Sequence, residues 1–146
     1  MAKDNRKIKS KKATVDGIEF DSTSEADFYK WLLHRDDIHD IELQPKYTLM
    51  DEFMVVCARC RDGKVISDKT GNLVNCKTCR GTGERKRQAW TYTSDFRIIW
   101  KDGHEDVVDV KGFSNERFPL VRKMFEKQYG KELLVAKKQR NGWVYK

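Results

Sequence analysis

Apolar and polar positions alternate along residues 92–100, with Phe96, Ile98 and Trp100 on one side and Asp95, Arg97 and Ile99 on the other. That two-residue period predicts a half-buried strand. A second strand is expected at 105–111, joined to the first across Lys101-Asp102-Gly103, because an Asp-Gly pair between apolar runs is a strong hairpin signal. The loop length matters. A two-residue loop would pair Asp95 with Val110 and send Asp109 and Lys111 to the opposite face. A three-residue loop with Gly103 in the left-handed conformation pairs Asp95 with Asp109 and keeps Lys111 on the same face, and this bulged turn is the expectation.

The rest of the chain reads as scaffold. Ser22 precedes an amphipathic segment, and Ser22-x-x-Glu25 is a capping-box pattern. The stripe of this helix runs through Phe28, Tyr29, Leu32 and Leu33, so Glu25 points over its buried face. Residues 41–50 read as the first core strand. Pro119 opens a second helix through Leu120, Val121, Met124, Phe125 and Gln128, which Gly130 ends, its stripe expected to pack on the sheet. Residues 132–136 form another strand, and Asn141-Gly142 turns the chain into Trp143-Val144-Tyr145. His34, His39 and His104 fall at a helix end and in turns, where exposure is the default, and the tryptophans read as packing residues.

Charge adds a partner. Thirty Lys and Arg against 23 acids give a net charge of +7, which favours a polyanion, and nucleic acid is the commonest one. The first 12 residues include Lys7, Lys9, Lys11 and Lys12 with no apolar run, so they read as a basic arm tracking phosphates, or as a merely solubilising tail, rather than a signal peptide. No stretch is long and apolar enough to span a membrane. A cytoplasmic setting and reduced thiols are therefore expected.

Four cysteines in the middle change the picture again. Cys57-x2-Cys60, fifteen residues, then Cys76-x2-Cys79 is the spacing of two knuckles closing on one tetrahedral zinc ion. Two disulfides are the alternative, disfavoured by the compartment. Four thiolates fill the shell, which marks a structural site and a task of contact. From Arg59 to Arg87 basic residues outnumber acids nine to three. Arg85-Lys86-Arg87 leads into the strand bearing Asp95 and suits phosphate binding; a solvated loop braced by metal is the plainer reading.

Asp95, Asp109 and Glu25 then supply hard oxygen ligands of the kind magnesium prefers, and Lys111 a positive group to position water or offset phosphate charge. The order Ser24-Glu25-Ala26, Leu43-Gln44-Pro45-Lys46-Tyr47, Tyr92-Thr93-Ser94-Asp95-Phe96 and Val108-Asp109-Val110-Lys111-Gly112 resembles the PD-(D/E)XK nuclease superfamily, closest to its small phage proteins of restriction-endonuclease type and more distantly to Holliday junction resolvases. Ser94 stands where the superfamily's name has proline. The resemblance implies an α/β fold, a restriction endonuclease-like core of helix, mixed sheet and helix over 15–52 and 89–146; the charge pattern adds a basic arm at 1–14 and the cysteines an inserted zinc ribbon at 53–88. The resemblance also implies that Glu25, Asp95, Asp109 and Val110 bind Mg2+ or Mn2+, that Lys111 is catalytic and that Gln44 assists.

The expected function is metal-dependent DNA endonuclease, phage-encoded and acting on branched or processed DNA, with a homodimer left open as a further partner arrangement. The alternative is a zinc-containing nucleic-acid-binding protein whose nuclease-like core is inactive. A third class, a co-chaperone-like zinc protein, rests only on the likeness of Cys76-Lys-Thr-Cys79-Arg-Gly81-Thr-Gly83 to chaperone zinc fingers.

Overall fold

The structure is a computed structural model that describes residues 11–110 and 116–146. Among the described residues the fold is mixed α/β, mostly sheet, with two helices. The described residues divide into two compact units: one up to Tyr47 and again from Thr93, the other Thr48–Tyr92.

The first unit opens with a hairpin of β1 (Ala13–Val15) and β2 (Ile18–Phe20), turned at Asp16 and Gly17, both with positive φ. Helix α1 (Thr23–Leu33) and strand β3 (Ile38–Leu43) follow. Strands β4 (Lys46–Met50), β5 (Phe53–Val56), β6 (Lys64–Ile66), β7 (Leu73–Asn75), β8 (Glu84–Arg87) and β9 (Trp90–Thr93) make three two-stranded sheets, β4-β9, β5-β8 and β6-β7. Then come β10 (Phe96–Trp100), β11 (Glu105–Val110), α2 (Phe118–Tyr129), β12 (Leu133–Gln139) and β13 (Gly142–Tyr145). The central sheet has the order β13-β12-β11-β10-β3. Among the described strands of this sheet only β11 and β12 run parallel, which demands a crossover, and α2 supplies it.

Helix α1 covers one face of this sheet. Phe28, fully buried, meets the rings of Phe96, Trp143 and Trp31 at 5.2, 5.0 and 5.6 Å, within a core that includes Leu32, Ile98, Trp100, Val108 and Val110. Four such rings bury enough area to dominate the packing energy. In α2, Phe125 is the fully buried residue, packed against Tyr47 and Tyr129 with both centroids at 5.0 Å.

Several expectations need correction. Leu33 and Leu120, placed in the helical stripes, are 46% and 54% exposed, because each lies on the shoulder of its helix rather than over the sheet. The expected strand over 41–50 is two strands: Gln44 has φ of 51° and Pro45 cannot donate to a ladder, so β3 stops and β4 pairs elsewhere. The strand expected over 92–100 is likewise broken at Ser94-Asp95, where β9 leaves to pair with β4.

A candidate acidic site and a candidate four-cysteine metal centre

The hairpin of β10 and β11 takes the bulged form. Phe96 pairs with Val108 and Ile98 with Asp106, so one step further Asp95 stands opposite Asp109. Gly103 at φ of 93° closes a three-residue loop: its N–H donates to Trp100 O, and Trp100 N–H donates to His104 O, both at 3.0 Å. Hydrogen-bonded pairs then recur every second residue and would next fall at 94 and 110. There the ladder stops. Ser94 N–H donates to Pro45 O at 3.0 Å, and Val110 N–H is taken by Asp95 Oδ2 at 2.7 Å.

The exchange is reciprocal, since Asp109 Oδ1 accepts from Asp95 N–H at 3.2 Å. Each carboxylate is thus held by the other's strand. Ser94, fully buried, donates its hydroxyl to Val108 O at 2.9 Å and ties the strands together next to the acids. Gln44 N–H donates to Asp95 O at 3.0 Å.

Glu25 reaches the same place from α1. Its N–H donates to Ser22 Oγ at 3.1 Å and its Oε1 accepts from the Ser22 hydroxyl at 3.0 Å, so it closes the cap of the helix. It also lines a cavity of about 80 Å³ with Gln44, Asp95, Glu19, Phe20, Ile18 and Leu43. Burial pushes its carboxyl above the ordinary value; Ser22 opposes this, and the charges of Asp21 and Asp109 add to the rise. Glu25, Gln44 and Asp95 therefore meet in one cavity, and Asp109 is near enough to act on Glu25. Lys111, Lys7 and Lys9 lie outside the described residues.

Sequence reasoning had given no weight to Ser94 as a clamp, nor to Glu19 and Asp21. The missed signal was Asp16-Gly17 between two short apolar runs, the same hairpin pattern read at Asp102-Gly103, which carries Glu19 to the cavity.

In the second unit the four cysteines converge, with sulfurs all within 4.8 Å of one another, and all four are thiols. A tetrahedral ion with bonds of about 2.3 Å to sulfur needs sulfurs roughly 3.8 Å apart, and Cys60 and Cys79 lie at 3.4 Å. The two knuckles support each other. Cys57 N–H donates to Gly83 O and Cys76 N–H to Gly63 O, each at 2.8 Å. Gly63 N–H and Gly83 N–H point at the sulfurs of Cys60 and Cys79, both at 3.3 Å. Burial would raise the Cys79 thiol, but the N–H groups of Gly83 and Gly81 and the neighbouring thiols outweigh it and bring it down to about 6. A thiolate is what a metal binds. The backbone approach is tight: a Cβ on Gly63 would lie 2.2 Å from Gly81 O. The cluster could hold a metal ion, and four sulfur donors suit zinc. Among the described residues it is the one group of His, Cys, Asp and Glu found that could hold a metal ion.

Arg85, Lys86 and Arg87 lie on β8, exposed. Pairing of Phe53 with Arg87 and Val55 with Arg85 puts the arginines on one face and Lys86 on the other, where it bonds Glu52 at 2.7 Å. Lys11 is exposed and Lys12 pairs with Glu19 at 2.6 Å. Among the described residues no helix is long and apolar enough to cross a membrane.

A family model described as "Protein of unknown function (DUF1064)" matches residues 5–141. The chain belongs to the DUF1064 family. The match runs through both units of this DUF1064 chain, the four cysteines and the acids included. No curated protein and no solved structure matches it.

Proposed function

We propose that this DUF1064 chain is a divalent-metal-dependent nuclease that hydrolyses DNA phosphodiester bonds, built on a restriction endonuclease-like core. One observation carries it: Glu25, pushed up by burial and by the charges of Asp21 and Asp109, shares a small cavity with Asp95. Acids crowded into a partly dry pocket repel one another, and a dication is the species that reverses this cost. Glu25, Asp95 and Asp109 would hold Mg2+ or Mn2+, which when bound supplies Lewis acidity toward a phosphate oxygen and an acidified water.

The chain's own residues do the positioning. Asp95 and Asp109 are fixed by reciprocal backbone bonds, and the Gln44 N–H anchors the backbone of Asp95. Lys111 follows Asp109 by two residues and joins the proposal on sequence alone. DNA is the proposed partner on the strength of the net charge of +7.

The test is cleavage of plasmid, single strands, flaps and four-way junctions by the zinc-loaded chain in Mg2+, Mn2+ or EDTA, beside Asp109→Asn. Cutting that needs the metal and stops in Asp109→Asn supports the proposal; cutting that survives either change, or no cutting at all, removes it. The second reading, a zinc-containing nucleic-acid-binding protein with an inactive core, draws on the four-cysteine cluster, the one candidate metal-holding group found among the described residues. Binding without cutting in any metal would select it.

A further inference from the structure

We infer that the β5-β8 ribbon is a platform for a single strand of nucleic acid, with Arg85 and Arg87 on its phosphates and Phe53 under an unpaired base. The inference rests on the proposed function only for the class of partner, nucleic acid. Direct pairing places the side chains of Phe53 and Arg87 on the same face, and those of Val55 and Arg85 beside them. All of β8 is exposed, and Phe53 is 45% exposed although its ring is fully apolar.

The two faces of this ribbon differ in charge. On the Phe53 face, neither guanidinium makes an ion pair among the described residues. On the other face Lys86 is tied to Glu52 at 2.7 Å, and Glu84 lies opposite Val56. A continuous run of three basic residues is thereby sorted into two unneutralised arginines about 6.8 Å apart along one strand and a lysine already compensated. An anionic ligand is attracted to the first face and gains little from the second. The aromatic ring selects within the anions. A base can stack on Phe53 only if its own π-face is open, and in a duplex that face is covered by the next base pair.

The experiment uses the full, zinc-loaded chain without added Mg2+ or Mn2+, so that nothing is cut. Binding of a labelled oligothymidine of roughly 20 nucleotides and of a duplex of equal length is followed by anisotropy over a range of salt. Phe53→Ala should weaken single-strand binding about tenfold and leave the duplex nearly unchanged. Arg85→Gln with Arg87→Gln should weaken single-strand binding and flatten its salt dependence by about 1.4 in log–log slope, two phosphate contacts' worth. Lys86→Gln should change single-strand binding less than about twofold, as a compensated surface charge does.

Zinc content and circular dichroism verify folding. Phe53→Leu, which keeps apolar bulk and removes the ring, replaces Phe53→Ala if that variant loses zinc. Equal losses from Lys86→Gln and the arginine pair, equal losses of Phe53→Ala on both ligands, or capture of a reduced unfolded polypeptide in place of the oligonucleotide would each overturn the inference. A wild-type chain that binds in the expected pattern but never cuts ends the nuclease proposal and leaves this one standing. One that cuts while all variants bind alike does the reverse.

Discussion

Asp95 does two jobs that substitution can separate. Its carboxylate is a candidate metal ligand, and Oδ2 is also the acceptor that Val110 N–H uses at 2.7 Å where the β10-β11 ladder ends. Val110 is 7% exposed, so its N–H has little recourse to water. Asp95→Ala removes a charge-assisted bond and leaves that donor unpaired, a cost of about 1.5–3 kcal/mol. At roughly 4 °C per kcal/mol for a chain of this size, the melting temperature should fall by about 6–12 °C. Asp95→Asn keeps an oxygen in the same place and removes one negative charge from the neighbourhood of Asp109 and Glu25. Its melting temperature should stay within about 2 °C of wild type or rise. Calorimetry of zinc-saturated protein without other divalent metal measures both, and exchange of the Val110 amide locates the effect. Both variants should fail to cut DNA. An equal thermal loss in Asn and Ala, or none in Ala, would refute the assignment of that bond.

Other expectations follow from the same geometry. Glu25 is held above its ordinary value of 4.5, chiefly by burial, so its ionisation opposes folding as pH rises past the unfolded value, with the penalty complete above the folded one. Glu25→Gln should therefore melt higher than wild type at pH 7 while losing cleavage, and the difference in melting temperature should vanish below about pH 4. One zinc per chain is expected, and its removal should abolish amide protection at Cys57 and Cys76, whose N–H groups bond Gly83 and Gly63; hydrogen exchange that leaves these amides protected would count against a structural ion. Phe28→Ala should cost about 3–5 kcal/mol, against about 0.5 or less for Leu33→Ala, as measured by denaturant unfolding.

Local chemistry explains which parts of this molecule were legible in the chain. The Asp102-Gly103 loop, the cysteine spacing, the Ser22 to Glu25 cap and the Gly130 stop each depend on a few adjacent residues, and each is found where the pattern put it. The break at Gln44-Pro45 was also written there, in a proline that cannot serve a ladder. The break at Ser94 was not. No Gly or Pro interrupts the stretch from Tyr92 to Trp100, and the strand parts where Ser94 N–H finds Pro45 O, a partner 49 positions away in sequence. The meeting of Glu25 with Asp95 is of the same kind, set by how α1 lies on the sheet. The two arginines of the β5-β8 ribbon were readable as charge, but their separation from Lys86 needed the register.

The segment carrying the thiols departs through β4 and returns through β9, and those two strands pair with each other. Its ends are therefore neighbours whatever lies between them, and the entropy of joining them grows only with the logarithm of the intervening length. A change in the length of the intervening chain would therefore cost the closure of this junction little.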